Sequence, residues 1–222
     1  MIIVQPQLTG RMGNHLFQYC ATRYVAEKLG SNYYIPQDEW LGHSYVNCNF
    51  KDMTIDKTKS PSPFPNIAKL TGYYQHTKYI NLEWLKIKEN DEKRMYLEKY
   101  DPNKWMYIHF RGNDYFDVNT WYSEFYKEAK QMLSKLTGLE KFLVITDDMP
   151  NATFCIEADD YISTPYDFFI LSEAKYMIIP NSTFSWWAKE LGSNIRLCVG
   201  PGKFVPSFIA GSDKTLLSTN EV

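Results

Sequence analysis

The sequence contains little cysteine, and its cysteines are not arranged as a site. The four lie far apart and show no Cys-x-x-Cys spacing: Cys20, Cys48, Cys155 and Cys198. A disulfide framework or a zinc site needs more regular cysteine spacing, so we expect neither. The cysteines are expected to be buried, reduced thiols.

Long apolar runs and an excess of one charge are also missing. No apolar run approaches the roughly 20 residues of a membrane-spanning helix, and the start lacks the basic and apolar regions of a signal peptide. The formal net charge is −2 at pH 7, without a block of like charges. We therefore expect neither nucleic acid nor an anionic membrane as a partner, and we expect a cytoplasmic protein without a membrane span.

Several motifs of nucleotide and metal sites are absent as well. The sequence has no Walker loop, no Gly-x-Gly-x-x-Gly fingerprint, no His-Glu-x-x-His pair and no Gly-x-Ser-x-Gly elbow, which disfavours a Rossmann-type oxidoreductase in particular. No Asp-x-Asp occurs either. A sugar transferase that binds its diphosphate through a metal is therefore disfavoured, and we expect no metal cofactor.

Aromatic residues are abundant, at 16% of the chain with 17 Tyr and 6 Trp. Many of them must lie in the core, because aromatic rings bury large areas. An excess of rings also suits stacking on a sugar or a base, and composition leaves both interpretations open.

Hydrophobic periodicity predicts two α/β halves, residues 1–100 and 101–222, with a seam at Asp101–Asn103. The first half is predicted to contain a strand over 1–8, a helix from Asn14 to Leu29 that Gly30 ends, a strand over Asn32–Ile35, a loop over 42–70 and a helix from Leu82 to about Tyr100. The second half alternates between strands (Trp105–Phe110, Lys141–Thr146, Tyr176–Ile179, Arg196–Val199) and helices (Trp121–Leu136, Tyr166–Lys175, Thr183–Leu191). This alternation predicts a parallel sheet with helices on both faces, which binds ligands at the carboxyl ends of its strands.

Two polar clusters follow predicted strand ends. In His109–Asp114, Arg111 offers a planar fork of donors suited to phosphate, and Asp114 can act as a base or simply pair with Arg111. In the second cluster, Asp147 and Asp148 can bind a ribose, a base edge or a metal, or one of them can cap the next helix.

A third cluster lies at a predicted helix start, within Asn181–Trp187. It gathers three hydroxyls: Ser182, Thr183 and Ser185. Exposed N–H groups and the helix dipole favour an anion there, whereas the structural alternative is an N-cap with a buried Trp pair behind it. Both can hold together.

The opening turn, Gly10-Arg11-Met12-Gly13-Asn14-His15, links the first predicted strand to the first helix. Glycine permits close approach of the backbone to a ligand, and Arg11 and Asn14 can project from the turn. The same pattern is also consistent with nothing more than a tight turn.

Five motifs, taken in order, resemble glycosyltransferase family 11, the α-1,2-fucosyltransferases, and more loosely the wider fucosyltransferase superfamily. They are Gly10–Tyr19, Gly72–Gln75, His109–Asp114, Phe142–Asp148 and Asn181–Ala188. The resemblance implies a GT-B-like α/β fold with two Rossmann-like halves, the N-terminal, acceptor-side half being reduced. It also implies metal-independent, inverting transfer from a nucleotide-diphosphate sugar to a sugar hydroxyl of a glycan or glycoside acceptor.

The resemblance further implies a role for each motif residue. The donor-binding set would be Gly13, His109 beside the base, Asp147 or Asp148 at the base or ribose, and Asn181, Ser182, Thr183 and Ser185 at the diphosphate. The catalytic set would be Arg111 at the β-phosphate, with Arg11 and Asn14 reaching the diphosphate from the N-terminal half. Asp114 and Asp117 are both candidates for the base that accepts the proton of the acceptor, and the sequence does not choose between them.

One departure from the motif bears on the donor. The family's second arginine is Gly112 here, so a positive charge expected near the phosphates is missing unless Arg11 replaces it. The transferred sugar is therefore expected to be fucose or another 6-deoxyhexose such as rhamnose. The alternative is a nucleotide-sugar or glycan-binding module with impaired catalysis.

Overall fold

The computed structural model describes residues 3–48, 67–112, 122–201 and 216–218. The chain divides into two units, Met1–Lys88 and Glu89–Val222. The segment 89–100, which the predicted seam assigned to the first half, clusters with the second unit.

The first unit is built on a parallel sheet with the strand order β2-β1-β4. Its strands are β1 (Ile3–Pro6), β2 (Asn32–Tyr33) and β4 (Ile67–Leu70), and β1 is followed by helix α1 (Met12–Lys28). Helix α1 buries an almost continuous stretch from Met12 to Arg23. Gly30 takes a φ of +59°, so the predicted end of the helix at this glycine is confirmed.

A second, antiparallel pair in the first unit joins β3 (Val46–Cys48) to β5 (Leu85–Ile87). The predicted loop over 42–70 is therefore wrong at its described ends, which hold a 3-10 turn (Leu41–Ser44), β3 and β4. Residues 49–66 lie outside the described part of the chain.

The predicted helix from Leu82 to Tyr100 is also wrong. The structure has a 3-10 turn at Leu82–Trp84, strand β5, and a helix only at α2 (Lys93–Lys99). The Asn81 carboxamide accepts a hydrogen bond from the Glu83 amide at 3.0 Å and starts the 3-10 turn. Pairing with β3 then holds the next residues extended, because a sheet partner overrides local helix propensity.

The second unit contains a parallel sheet with the strand order β11-β10-β9-β6-β7-β8 among its described residues. The strands are β6 (Trp105–Phe110), β7 (Lys141–Thr146), β8 (Asp160–Ile162), β9 (Tyr176–Ile178), β10 (Leu197–Gly200) and β11 (Leu216–Ser218). The helices between them are α3 (Tyr122–Thr137), α4 (Met149–Cys155), α5 (Asp167–Ser172) and α6 (Thr183–Leu191).

The predicted α/β class with parallel sheets is therefore confirmed. Strand β7 is buried along its length after Lys141, as its apolar sequence predicts for a central parallel strand. Helix α4 and strand β8 were not predicted from the sequence. Among the described residues, no helix has the length and apolar character needed to cross a membrane.

Candidate functional site

Four neighbouring strands of the second unit, in the order β9-β6-β7-β8, end at one edge of the sheet. The three polar clusters predicted from the sequence follow β6, β7 and β9, and the start of helix α5 follows β8. Because parallel strands end on the same side, these segments come together where α/β sheets bind their ligands.

Arg111 and Asp147 form an ion pair across the ends of β6 and β7. Arg111 Nη1 lies 3.2 Å from Asp147 Oδ2, and the arginine side chain is only 13% exposed. The other carboxylate oxygen, Oδ1, accepts a hydrogen bond from the Gly112 amide at 3.3 Å. One carboxylate therefore holds both the backbone and the guanidinium of the loop after β6.

From the sequence, Asp114 is expected either to pair with Arg111 or to act as the base, and Asp117 is the other candidate base. Both aspartates lie outside the described residues. Their roles stay predictions, and among the described residues Asp147 forms an ion pair with Arg111.

Asp148 accepts hydrogen bonds from a residue of the following helix. Its Oδ2 accepts from Asn151 Nδ2 at 2.7 Å, and its Oδ1 accepts from the Asn151 amide at 3.4 Å. Asp148 thus caps helix α4, and the structural alternative weighed for this pair of aspartates is confirmed for Asp148.

Gly112 packs directly against Asp148. A β-carbon at position 112 would lie 2.1 Å from Asp148 Cβ and 2.2 Å from its Oδ2, far inside van der Waals contact. Glycine, which has no β-carbon, therefore fits at position 112, where the segments after β6 and β7 touch. Any larger residue would have to push them apart.

His109 is buried at the end of β6, with 5% of the residue exposed. Its ring lies 5.4 Å from the ring of Phe184, and its Nδ1 has no hydrogen-bond partner among the described residues. Burial lowers the pKa of His109 to about 3, so the imidazole is neutral at physiological pH. The expected contact of His109 with a nucleotide base stays a prediction.

The start of helix α6 combines open and buried hydroxyls. Ser182 occupies the N-cap position, but its side chain makes no capping hydrogen bond. Asn181, Ser182 and Thr183 are half-buried, whereas Ser185 is fully buried and donates to the Ser182 carbonyl at 3.3 Å. Trp186 and Trp187 pack edge to face 5.0 Å apart behind it, so the predicted buried Trp pair is confirmed.

Asp167 is a residue of this edge that the sequence analysis missed. It begins helix α5, and its Oδ1 accepts from the Thr164 amide at 3.0 Å. Burial raises its pKa to about 7, and the nearby charge of Asp147 adds to the shift. The only signal in the sequence was an acidic residue at a helix start, which is common and carries no specific function.

In the first unit, the opening turn follows strand β1 and is built around Gly10 and Asn14. Gly10 has a φ of +81°, and a β-carbon there would lie 2.3 Å from Asn14 Nδ2. Asn14 Oδ1 in turn accepts from Gln75 Nε2 at 2.8 Å. Arg11 is exposed at the N-cap position of α1, and Gly13 is buried in the first turn of the helix.

Gln18 ties this turn to the segment after β4. Its Nε2 donates to Thr9 Oγ1 at 2.8 Å and to the Gly72 carbonyl at 3.0 Å, and its Oε1 accepts from the Thr9 amide at 3.1 Å. The Gly10–Tyr19 and Gly72–Gln75 motifs are thus one hydrogen-bonded assembly. Sequence spacing alone did not show this connection.

The described residues contain no group of three or more His, Cys, Asp or Glu side chains placed to hold a metal ion. In the part of the chain that the structure describes, the second-unit edge gathers the Arg111 guanidinium, the carboxylates of Asp147, Asp148 and Asp167, and the hydroxyl and N–H groups at the start of α6. Arg111 and the helix start suit an anion. The carboxylates and hydroxyls of the site can accept hydrogen bonds from a ribose or a base.

Comparisons with known proteins identify relatives in sequence and in fold. No protein-family model matches the sequence. The O-antigen biosynthesis glycosyltransferase WbnK of Escherichia coli is 29% identical over 129 residues, which cover 50% of this chain and 41% of that protein. The match therefore spans less than half of the relative's length.

In fold, the chain is similar to the NodZ α-1,6-fucosyltransferase crystallised with GDP. The TM-score is 0.53 at 13% identity, and the alignment covers 86% of this chain and 92% of that chain. This likeness confirms the predicted GT-B-like α/β fold class and the resemblance to fucosyltransferases at the level of fold. Membership of family 11 stays a prediction.

Proposed function

We propose that the chain is a glycosyltransferase that moves a sugar from a nucleotide-diphosphate sugar to a hydroxyl of a glycan or glycoside acceptor. The observation that carries the proposal is the Arg111–Asp147 ion pair beside the uncapped start of helix α6, on neighbouring strands of one sheet edge. The glycosyltransferase relative and the fucosyltransferase fold that holds GDP support the same class of reaction.

Catalysis would come mainly from stabilising the leaving diphosphate. In the proposed direct displacement, the acceptor oxygen bonds to the anomeric carbon as the bond from that carbon to the phosphate oxygen breaks, which inverts the anomeric centre. Negative charge grows on the diphosphate, and in this proposal the Arg111 guanidinium and the N–H groups at the start of α6 stabilise it. Losing one such preorganised contact costs about 3–4 kcal/mol of activation free energy.

The other residues take supporting roles in this proposal. Asp147 orients Arg111 through its two carboxylate oxygens, His109 lies on the base side, and Asn181 with the open hydroxyls binds the diphosphate. The roles of Arg11 and Asn14 at the diphosphate stay predictions from the sequence. Asp114 or Asp117 accepts the proton of the acceptor hydroxyl.

The donor is proposed to carry a 6-deoxyhexose, fucose or rhamnose, and the transfer to need no metal. Arg111 and the helix start supply positive charge that a metal supplies in Asp-x-Asp transferases. Activity that survives EDTA would support this, and loss of activity that Mg²⁺ or Mn²⁺ restores would contradict it.

The test is a thermal-shift screen with GDP-fucose, GDP-mannose, UDP-sugars and dTDP-rhamnose. A ligand that binds the folded state raises Tm, because it stabilises that state by RT ln(1 + [L]/Kd). We expect a shift with the true donor and with its free nucleoside diphosphate. No shift with any of them would overturn the proposal.

A second candidate is a binding module with impaired catalysis, which the glycine at position 112 favours. Donor hydrolysis separates the two: an enzyme slowly releases nucleoside diphosphate from its donor, and a binding module releases none. Chromatography of the donor after prolonged incubation distinguishes them.

A further inference from the structure

We infer that one flank of helix α1 is a docking surface for an anionic lipid bilayer. This surface, the tyrosine–lysine patch, consists of Tyr24, Lys28, Tyr74, His76, Lys78 and Tyr79. Its residues come from α1 and from the segment after β4, which contains the 3-10 turn Thr77–Tyr79. The inference goes beyond the proposed reaction and does not depend on it.

The ring of Tyr79 lies at the centre of the patch. It packs edge to face on Tyr24 at 5.4 Å and on Tyr74 at 5.8 Å, and the His76 ring lies 6.2 Å away. The three tyrosines are half-buried and His76 is exposed. Because the rings contact one another across two segments of the chain, they form a preformed surface on the first unit.

Each lysine of the patch lies over an aromatic ring. Lys78 Nζ is 4.7 Å from the centre of the Tyr79 ring, and Lys28 Nζ is 5.5 Å from the centre of the Tyr24 ring. Cation–π contacts at these distances hold an ammonium group close to the ring without neutralising its charge. The positive charges therefore stay beside the tyrosines.

These two lysines are available to an external anion. Both are exposed, and neither forms an ion pair among the described residues. Glu27, the acidic neighbour of Lys28 in the chain, pairs with Arg23 instead, at 3.0 Å. The expectation of no anionic membrane partner came from the net charge of −2, which averages over the whole chain and does not record a local patch.

The arrangement of the rings favours a lipid surface over a stacked sugar. One face of Tyr24 and one face of Tyr79 each lie under a lysine, and neighbouring ring edges contact both. The hydroxyls of Tyr24 and Tyr79 bond to no described residue and are not enclosed. Tyrosines with a free polar tip and lysines with an apolar stem are the residues that lie at the level of lipid headgroups, and the potential of an anionic leaflet attracts the lysines.

The patch is separate from the opening turn. Tyr24 and Lys28 lie on the same helix as Asn14 but about 15–21 Å further along its axis, at about 1.5 Å per residue. A bilayer at the patch therefore uses none of the residues assigned to the diphosphate.

The experiment is co-sedimentation of the full chain with two kinds of vesicle: phosphatidylcholine alone, and phosphatidylcholine mixed equally with phosphatidylglycerol. We expect binding to the anionic vesicles only, and loss of most of it when the salt is raised from about 0.1 M to about 1 M, because the Debye length then falls from about 10 Å to about 3 Å. Heparin, a soluble polyanion, is tested alongside.

Substitutions of the two lysines test the patch itself. Each lysine beside an anionic leaflet contributes about 5-fold to the partition coefficient, so Lys28→Gln/Lys78→Gln should bind about 25-fold more weakly. Lys28→Arg/Lys78→Arg keeps both charges and should retain the binding.

Lys141→Gln is the matched control. Lys141 is also exposed and also lies over a ring, 5.4 Å from the centre of Trp105, but it belongs to the second unit. This variant should bind vesicles like the unmodified protein. An unchanged amide spectrum in each variant shows that the fold is intact.

The inference is overturned if neutral and anionic vesicles bind equally, if neither binds, or if Lys28→Gln/Lys78→Gln binds as well as the unmodified protein. An equal loss in Lys141→Gln would also overturn it, since total charge and not the patch would then govern binding. Binding to heparin without binding to vesicles would assign the patch to a soluble polyanion instead. A Tm shift with a nucleotide sugar but no vesicle binding would overturn this inference alone and leave the proposed function standing.

Vesicle binding that depends on the two lysines, without a Tm shift for any nucleotide, would support this inference and overturn the donor proposal.

Discussion

Gly112 and Asp148 approach so closely that a β-carbon on residue 112 would lie 2.1 Å from the β-carbon of Asp148. Asp148 is fixed in turn by its capping bonds to Asn151. Glycine at position 112 is thus required by packing as well as being an uncharged residue. The segments after β6 and β7 touch at this point, so an arginine there would have to push Asp148 aside.

The first prediction follows from this contact. Gly112→Ala should lower the free energy of unfolding by about 1–3 kcal/mol, as other overpacking substitutions do, and Gly112→Arg should lower it at least as much without raising activity. Urea denaturation measures the unfolding free energy of both variants, and a transfer assay measures the activity of Gly112→Arg. The control is Asp148→Gly, which removes the clashing atoms: in that background Gly112→Ala should cost clearly less. An equal cost in both backgrounds would show that the close approach is not what selects glycine.

The second prediction concerns the opening turn. Gly10 and Gly30 both have positive φ, +81° and +59°, but only Gly10 has a neighbour, Asn14, where a β-carbon would be placed. Gly30→Ala should therefore cost about 1–2 kcal/mol for the left-handed backbone alone, and Gly10→Ala should cost more because it also displaces the Asn14 amide from Gln75. Thermal or urea unfolding measures the difference. In an Asn14→Ala background the excess cost at Gly10 should vanish, and its persistence would contradict the explanation.

The third prediction is a pH dependence set by Asp167. Its pKa is raised from 3.8 to about 7 in the folded protein, so the folded state binds more protons than the unfolded state between about pH 4 and pH 7. Stability contributed by the protonated form is therefore lost as pH rises through this window. Asp167→Asn removes the titration and keeps an oxygen for the Thr164 amide. Measured by urea denaturation, the free energy of unfolding of Asp167→Asn relative to that of the unmodified protein should rise by on the order of 2 kcal/mol between pH 5 and pH 8.

Asp160→Asn is the control of opposite sign. The pKa of Asp160 is lowered, first by the hydrogen bond from the Tyr100 hydroxyl and further by Lys99. Its ionised form stabilises the fold at neutral pH, and that stability is lost as pH falls through the folded pKa. Asp160→Asn should therefore be the less stable protein at pH 8. Parallel pH profiles for the two variants would contradict both assignments.

The sequence predicted correctly those strands and helices whose hydrophobic pattern matches the face that they bury. Strands β6, β7 and β9 and helix α6 were placed correctly, because an apolar run or a period of 3.6 residues is a direct record of the face that an element buries. The segment Leu82–Tyr100 failed for the converse reason. It carries helix-favouring residues, but Leu85–Ile87 are held extended by β3, a partner more than 35 residues away in the sequence.

In the candidate site, too, features set by local sequence were predictable and features set by distant contacts were not. The strand-end position of Arg111, Asp147 and Ser182 was predictable from alternation of elements alone. The ion pair between Arg111 and Asp147 was not predictable, because it depends on the register of β6 against β7. The raised pKa of Asp167 likewise depends on burial that no local pattern records.

The last prediction tests the proposed chemistry at Arg111 and Asp147. Arg111→Ala should reduce transfer by about 10²- to 10³-fold, the usual effect of removing one preorganised donor to a growing negative charge. Arg111→Lys keeps the charge but loses the planar fork, so it should recover only part of that loss.

Asp147→Asn separates orientation from charge. The carboxamide of this variant keeps an oxygen for the Gly112 amide but no longer pairs electrostatically with Arg111, so the guanidinium should be held less firmly. Because Asp147 is proposed to act through Arg111, its loss should have little further effect once Arg111 is alanine. The double variant Arg111→Ala/Asp147→Asn should thus turn over at the rate of Arg111→Ala. Steady-state kinetics with a saturating donor measure this cycle. Two fully additive losses would mean that Asp147 contacts the substrate itself, and unchanged turnover in Arg111→Ala would remove Arg111 from the reaction.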